Sequence, residues 1–286
     1  MTAQPRADLV RIDDQVWRLI SQDGTCRTIV NPPLSWLNEH QPRRSSRDRQ
    51  GNPPTVALTS QMTVILVGGG LLAAEIALSL AAGGIQILVS APEAPTAAID
   101  PLGHHTTAAA ALQAWVRDRL PAAGIGSAPH WTAMTPEFAD LVIVATRTVQ
   151  PDRAITDHLA RQHLPYLVVR AQHDTATVGP LVDHEGGPCL ACVDLAVADH
   201  DQWWPITLAA LTVTQAFPDA ITARWAGAQA ALEAAWFLTG AGTTLRGSTV
   251  EINATDAGVG RRRWDTHEDC SCCRSLDDWA DLAAAA

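Results

Sequence analysis

The chain contains no lysine: all 20 of its basic residues are arginine, set against 30 aspartates and glutamates. The formal charge of −10 that results excludes nonspecific DNA binding and docking on an anionic membrane, because both need a basic surface. Two readings of the missing lysine stand side by side. One is a GC-rich genome, in keeping with the abundance of alanine; the other is avoidance of self-modification in a protein that works near lysine-directed conjugation. Charged residues make up 17% of the sequence and hydrophobic ones 47%, which is too apolar for disorder and ordinary for a soluble globular protein. No basic stretch followed by an apolar one opens the chain, so secretion is not expected and the expected compartment is cytoplasmic. Internal repeats are lacking too.

One uncharged run invites a different reading. Residues 63–89 are long and apolar enough to span a bilayer. The run is punctuated, however. A β-branched stretch ends at Val67, three glycines follow, then an alanine-leucine helix pattern, two more glycines and a second β-branched stretch. That order predicts a strand, turn, helix and strand buried in an α/β core, not a membrane span.

Cysteine is scarce but clustered. Of six cysteines, Cys189 and Cys192 form a CxxC in GGPCLACVDL, and Cys270, Cys272 and Cys273 follow in HEDCSCC. Two short knuckles about 80 residues apart can each aim two thiolates at one tetrahedral zinc ion. The expected structural site is Cys189, Cys192, Cys270 and Cys272, with Cys273 as the alternative fourth ligand. A buried thiol cluster or a redox CxxC are the competing readings, but a redox motif would not need a second pair downstream. Four thiolates close such a site, so it stabilises a fold and leaves no position for catalysis. Paired cysteines in an unsecreted chain also favour metal over disulfide.

Along the chain, residues 1–40 read as a small β-rich unit, because DLVRIDDQVWRLI and TCRTIV alternate apolar and polar residues around an Asp-Asp and an Asp-Gly turn. LSWLNEH adds a short helix to it. Residues 41–55 have nothing to anchor a core and read as a linker. From Val56 the apolar strands TVILVGG, IQILVSA, ADLVIVAT and PYLVVRA alternate with helical stretches at 106–120 and 153–163. The expected fold is therefore a doubly wound, mostly parallel Rossmann-like α/β sheet, with a zinc-knuckle C-terminal part. Residues 206–216 and 219–239 read as helices, and GSTVEIN and RRRW as paired strands. The main domain spans 56–275, and 276–286 form a tail.

Gly68-Gly69-Gly70-Leu71-Leu72-Ala73 follows a strand and opens a helix. Glycines there let backbone N–H groups and a helix N-terminus approach a phosphate, although a tight turn with nothing bound would use them as well. A dinucleotide site wants an acid at the end of the second strand, to hold ribose hydroxyls. Ser90 stands in that place, and Glu93 comes three residues late.

Gly68 to Ile85 is similar, position for position, to the GxGGLGSxxAxxLAxAGV stretch of the ThiF/MoeB/HesA family, bacterial relatives of ubiquitin-activating enzymes. TVGPLVDHEGGPCLACVDL and HEDCSC resemble an actinobacterial branch that includes proteins acting on ribosomally made peptides. The resemblance covers about residues 56–275. It implies adenylation of a carboxylate with ATP and magnesium, and a homodimer built on the glycine-loop domain near the apolar helix 71–82. The same resemblance also exposes gaps. The family's ribose aspartate is replaced by Ser90, and its phosphate-binding arginine and lysine are absent between Ser90 and Ala114, where His104 and His105 are the weak substitutes. The carboxylate of its metal-binding DxTD-like motif is replaced by Arg147. A guanidinium has donors and no acceptor and cannot coordinate magnesium, but it can neutralise an anion. The family's thioester members carry a nucleophilic cysteine near the crossover, and no cysteine lies between Cys192 and Cys270. Cys26 is expected to be an ordinary small buried residue.

The leading expectation is a catalytically degenerate zinc protein of this type that binds a peptide or protein partner, with anion binding retained at Gly68, Gly70 and Arg147. The alternative is an active ATP-dependent adenylyltransferase that draws carboxylates from elsewhere, such as Glu75 or Asp100. Trp203 and Trp204, adjacent and expected on opposite faces of an extended segment, carry two readings: both pack under the crossover, or one side chain is offered for contact.

Overall fold

The computed structural model describes residues 7–11, 16–21, 26–30, 62–183 and 185–271. The chain divides into two compact units, Met1–Pro54 and Thr55–Ala286. In the first, β1 (Ala7–Arg11), β2 (Val16–Ser21) and β3 (Cys26–Val30) form an antiparallel sheet in the order β1-β2-β3. The hairpin pattern read from the alternating residues is thus present. The helix expected at LSWLNEH and the linker 41–55 lie outside the described residues.

The second unit is built on an eight-stranded sheet. Its central strand, β4 (Thr63–Val67), pairs in parallel with β5 (Gln86–Ser90) on one side and β7 (Leu141–Val144) on the other. β6 (Ile125–Ser127) adds beyond β5 and β8 (Tyr166–Gln172) beyond β7, both in parallel. Then the sheet changes character. β9 (Thr175–Val182), β10 (Ser248–Asn253) and β11 (Gly258–Arg263) extend it by antiparallel pairings. The order is β11-β10-β9-β8-β7-β4-β5-β6.

Strand parity decides the layers, because successive side chains leave a strand on opposite faces. Val64 and Leu66 join a core with α1 (Leu71–Ala82), α2 (Ala108–Arg119) and α6 (Ala220–Leu238). Ile65 and Val67 join a second core with α3 (Arg153–Arg161) and α4 (Leu190–Ala198). The 63–89 run, buried on both sides, is strand, helix and strand, and among the described residues no helix is long and apolar enough to cross a membrane.

α1 is covered inside the chain. α6 lies against it along small residues, Ala223, Ala226, Gly227, Ala230 and Ala234, all buried. A Cβ on Gly227 would come within 2.7 Å of the Glu75 backbone, so only glycine permits this approach. Helix 71–82, expected near a subunit interface, therefore spends its apolar face on α6. The uncovered apolar surface lies elsewhere. α5 (Trp204–Leu211), WPITLAAL, has no buried residue, and Trp203, Ile206, Val213, Phe217 and Ile221 are exposed around it.

Candidate functional site

The glycine turn sits where the strand order reverses, at the carboxyl end of β4 between β5 and β7, which is where open α/β sheets place their ligands. Gly68 has φ +140°, and a Cβ there would stand 1.9 Å from the Ala145 carbonyl oxygen. The turn is tight for a reason internal to the sheet: Gly68 donates its N–H to the Ser90 carbonyl, and Gly70 caps α1 without a side-chain hydrogen bond.

What stands over the turn is protein. A Cβ on Gly69 would meet the Cβ of Ala108 at 2.4 Å and the Glu93 Oε1 at 3.0 Å, and one on Gly70 would meet the Arg147 Cγ at 3.1 Å. Arg147 reaches across to the loop after β5. Its Nη1 donates to the Ala94 carbonyl at 2.9 Å and its Nε lies 3.7 Å from Glu93 Oε1. The same loop is tied to the start of α2, where the N–H groups of Ala108 and Ala109 donate to the carbonyls of Glu93 and Ala91. Glu93, late in sequence for a ribose acid, is thus folded back over the glycines with Arg147 beside it.

Next to this pair opens a cavity of about 330 Å³, largely apolar, with Leu72, Ala98, Ala171 and Phe217 among its walls and Thr96, Thr146, Arg147 and Gln215 as its polar side chains. The Thr96 hydroxyl is shielded from solvent and has no hydrogen-bond partner among the described residues, and the same holds for the hydroxyl of buried Ser90. His104 and His105 do not line the cavity. Their backbone N–H groups, at 3.0 and 2.8 Å, hold the Asp100 carboxylate. Burial works to raise the Asp100 pKa, but those N–H groups outweigh it and keep the carboxyl below its usual range. Glu75 is buried against α6 and pairs with Arg224 at 3.2 Å. Both carboxylates considered as substitute ligands are therefore already engaged.

The thiols converge. Cys189, Cys192 and Cys270 are buried, and their sulfurs lie within 4.8 Å of one another. Zn–S bonds of about 2.3 Å in a tetrahedron set sulfur–sulfur separations of about 3.8 Å. Here Cys189 Sγ is 3.9 Å from Cys192 Sγ and 3.6 Å from Cys270 Sγ, whereas a disulfide needs about 2.05 Å. The three side chains thus fit a metal ion. Burial pushes the Cys192 thiol up to about 11, so a proton or a cation must accompany the cluster. Cys272 and Cys273, the candidates for the fourth position, lie outside the described residues. The paired tryptophans part company because the chain starts a helix there. Trp203 is 62% exposed, and the Trp204 indole N–H donates to Asp194 Oδ1.

Sequence reasoning missed the Glu93–Arg147 pairing, since nothing local says that a loop residue folds onto a glycine turn some 25 residues before it. It also missed β9, hidden in the segment preceding the first knuckle, and so did not join the paired strands read at GSTVEIN and RRRW, which are β10 and β11, to the parallel sheet.

No protein-family model matches the chain, and no curated protein matches it by sequence. Solved structures do. E. coli MccB with ATP aligns at a TM-score of 0.65 and 14% identity, over 94% of this chain and 98% of that one. MccB with MccA aligns at 0.57 and 16%, over 77% and 68%. PaaA aligns at 0.55 and 13%, over 73% and 75%. At these identities the likeness establishes the fold alone, the mostly parallel Rossmann-like α/β sheet expected from the sequence.

Proposed function

We propose that this protein holds a peptide or protein chain and does not adenylate it. One observation carries the reading: the Glu93 carboxylate and the Arg147 stem stand over the glycine turn, 3.0 and 3.1 Å from where Cβ atoms on Gly69 and Gly70 would be. A nucleotide's phosphates would meet an acid there with Arg147 as the one cation beside it, and position 147 offers no carboxylate for magnesium. Transfer of an adenylyl group depends almost wholly on positioning and charge neutralisation, so these replacements act together. Zinc held by Cys189, Cys192, Cys270 and Cys272 is the metal we assign. It would tie the segment after β11 to the start of α4 and supply no catalysis. A reduced thiolate site suits the cytoplasm. The exposed apolar surface of α5 is the face on which we expect two copies to pair as a homodimer.

Support for a held chain comes from the N-terminal three-stranded sheet, whose edge strands can receive an added strand through backbone hydrogen bonds, and from MccB, whose solved complexes include one with N-formylated MccA. The second reading, an active adenylyltransferase, draws on the retained glycine turn and on the MccB complex with ATP. ATP–pyrophosphate exchange in the presence of magnesium and candidate peptides separates the two. Exchange at background, together with peptide capture that weakens when residues 1–54 are removed, is the expected outcome. Exchange that disappears when the glycine turn is mutated would restore the adenylyltransferase.

A further inference from the structure

A second site lies on the other side of β8. Strand parity puts Arg170 and Gln172 on the face shared with Tyr166 and Val168, the face covered inward by α3 and α4. Register then aligns two rows across the antiparallel half of the sheet. Arg170 faces Thr177, Thr177 faces Glu251, and Glu251 faces Gly260; beside them run Gln172, Thr175, Asn253 and Gly258. These positions are polar or glycine, and two cavities lie along them. One of about 140 Å³ is lined by Gln150, Arg170, Gln172 and Thr177, and one of about 430 Å³ by Thr177, Glu251, Asn253 and Asp256. The cavities share Thr175, Ala176 and Thr177, so they form one trough.

Two guanidiniums, Arg153 and Arg170, meet at its inner end, and the carboxylate nearest to both, Asp194, is ion-paired with only one of them. Arg153 takes that carboxylate in a two-pronged pair, Nε to Asp194 Oδ2 at 2.6 Å and Nη2 to Oδ1 at 2.9 Å, and the Trp204 indole also donates to Oδ1. Arg170 is left with the neutral Gln150 Oε1 at 3.0 Å, an oxygen it shares with Arg153. Its Nε is shielded from solvent and has no acceptor, and among the described residues no carboxylate forms an ion pair with it. Burial, reinforced by the Arg153 charge and opposed by the Asp194 and Glu251 carboxylates, pushes the Arg170 guanidinium down to about 10. A guanidinium that lines a trough and has no ion-paired carboxylate keeps N–H donors for an anion arriving from outside.

We propose that Arg170 anchors the carboxylate of an extended peptide whose chain runs outward over Thr177 toward Glu251 and Asp256. The outer carboxylates give the site a direction. Neighbouring strands lie about 4.8 Å apart, so Arg170 on β8 and Glu251 on β10 are separated by about 10 Å, roughly three extended residues. The site therefore prefers a cationic residue about three positions from the carboxylate. A C-terminus and an aspartate or glutamate side chain offer the same chemistry. The inference deepens the peptide-holding reading and rests on it for the ligand's class. It does not rest on the silence of the glycine turn.

The test uses the full chain labelled with ¹⁵N-arginine, following the Arg170 Nε–H resonance, which is assigned by its loss in Arg170→Gln. The probes are acetate, inorganic phosphate, the peptide Arg-Gly-Gly-Ala with a free and with an amidated C-terminus, and acetyl-Arg-Gly-Gly-Glu-amide. We expect a saturable shift with acetate and at least tenfold tighter binding of the free-carboxylate peptide, with Glu251→Gln erasing that advantage. Amidated Arg-Gly-Gly-Ala leaves the resonance in place. A response to acetyl-Arg-Gly-Gly-Glu-amide equal to that of the free terminus assigns the site to side chains, and a weaker one assigns it to termini. No shift with any carboxylate, a response to phosphate alone, or equal binding of the amidated peptide overturns the proposal. Should Arg170→Gln fold poorly, Arg170→Lys, which keeps the positive charge, supplies the assignment, and the shifts themselves are read in the unmutated protein. Peptide capture that persists through residues 1–54 while Arg170 stays silent would refute this site and leave the peptide-holding reading intact.

Discussion

Replacing Cys192 by alanine separates a metal centre from a packed thiol cluster by the size of its effect. Cys192 is 0% exposed and belongs to the first knuckle, packed with Cys189 and Cys270. If the three thiols only pack, the substitution removes one sulfur from the core and costs about 1 kcal/mol, as for one buried methylene-sized group. If they bind zinc, the loss is larger. Structural zinc contributes about 10–16 kcal/mol in zinc-finger peptides, or about 2.5–4 per ligand when divided among four. With the packing loss added, the cost becomes about 3.5–5 kcal/mol. At about 2–4 °C per kcal/mol for a domain of this size, the midpoint falls by about 7–20 °C in the zinc case and by about 2–4 °C otherwise. The assay is thermal melting of the parent and the variant, with and without a chelator, beside metal analysis of the purified protein. We expect one zinc per chain, and a chelated parent that melts below the variant, because chelation removes the whole metal contribution and the variant loses one ligand's share. A drop of only a few degrees, indifference to chelator and a metal content near zero would refute the metal reading. The fourth ligand follows from the same experiment, since Cys272→Ser is expected to act like Cys192→Ala while Cys273→Ser leaves the midpoint in place.

Gly68→Ala places a methyl 1.9 Å from the Ala145 carbonyl at φ +140°; we expect a loss of about 3 kcal/mol or more, or insoluble protein, and melting within 2–3 °C of the parent would contradict it. Ile206→Glu, in the helix with no buried residue, puts a charge on the proposed pairing face. Sedimentation is expected to show a dimer for the parent and a monomer for the variant, with unchanged melting of the monomer unit. A monomeric parent at micromolar concentration would remove that interface.

Local pattern alone determined a good deal of this protein. The β-branched runs gave β4, β5, β7 and β8, because strands buried on both faces read as short apolar stretches between turns. Asp-Asp and Asp-Gly, set between alternating segments, gave the N-terminal meander, and the spacing of Cys189, Cys192 and Cys270 gave a convergence found again as three sulfurs within 4.8 Å. The glycines after Val67 were legible as a turn. Their surroundings were not, because what fills a concave site comes from other parts of the chain. Only the tertiary structure folded Glu93 back over the turn beside Arg147, engaged Glu75 and Asp100 elsewhere, and laid α6 over the helix expected at an interface. The position of Arg170 shows the same limit most clearly. In sequence it is a lone arginine in an apolar strand. Strand register and helix packing, both long-range, decide that Asp194 pairs with Arg153 and that Arg170 is left with the neutral Gln150 amide and no ion pair among the described residues.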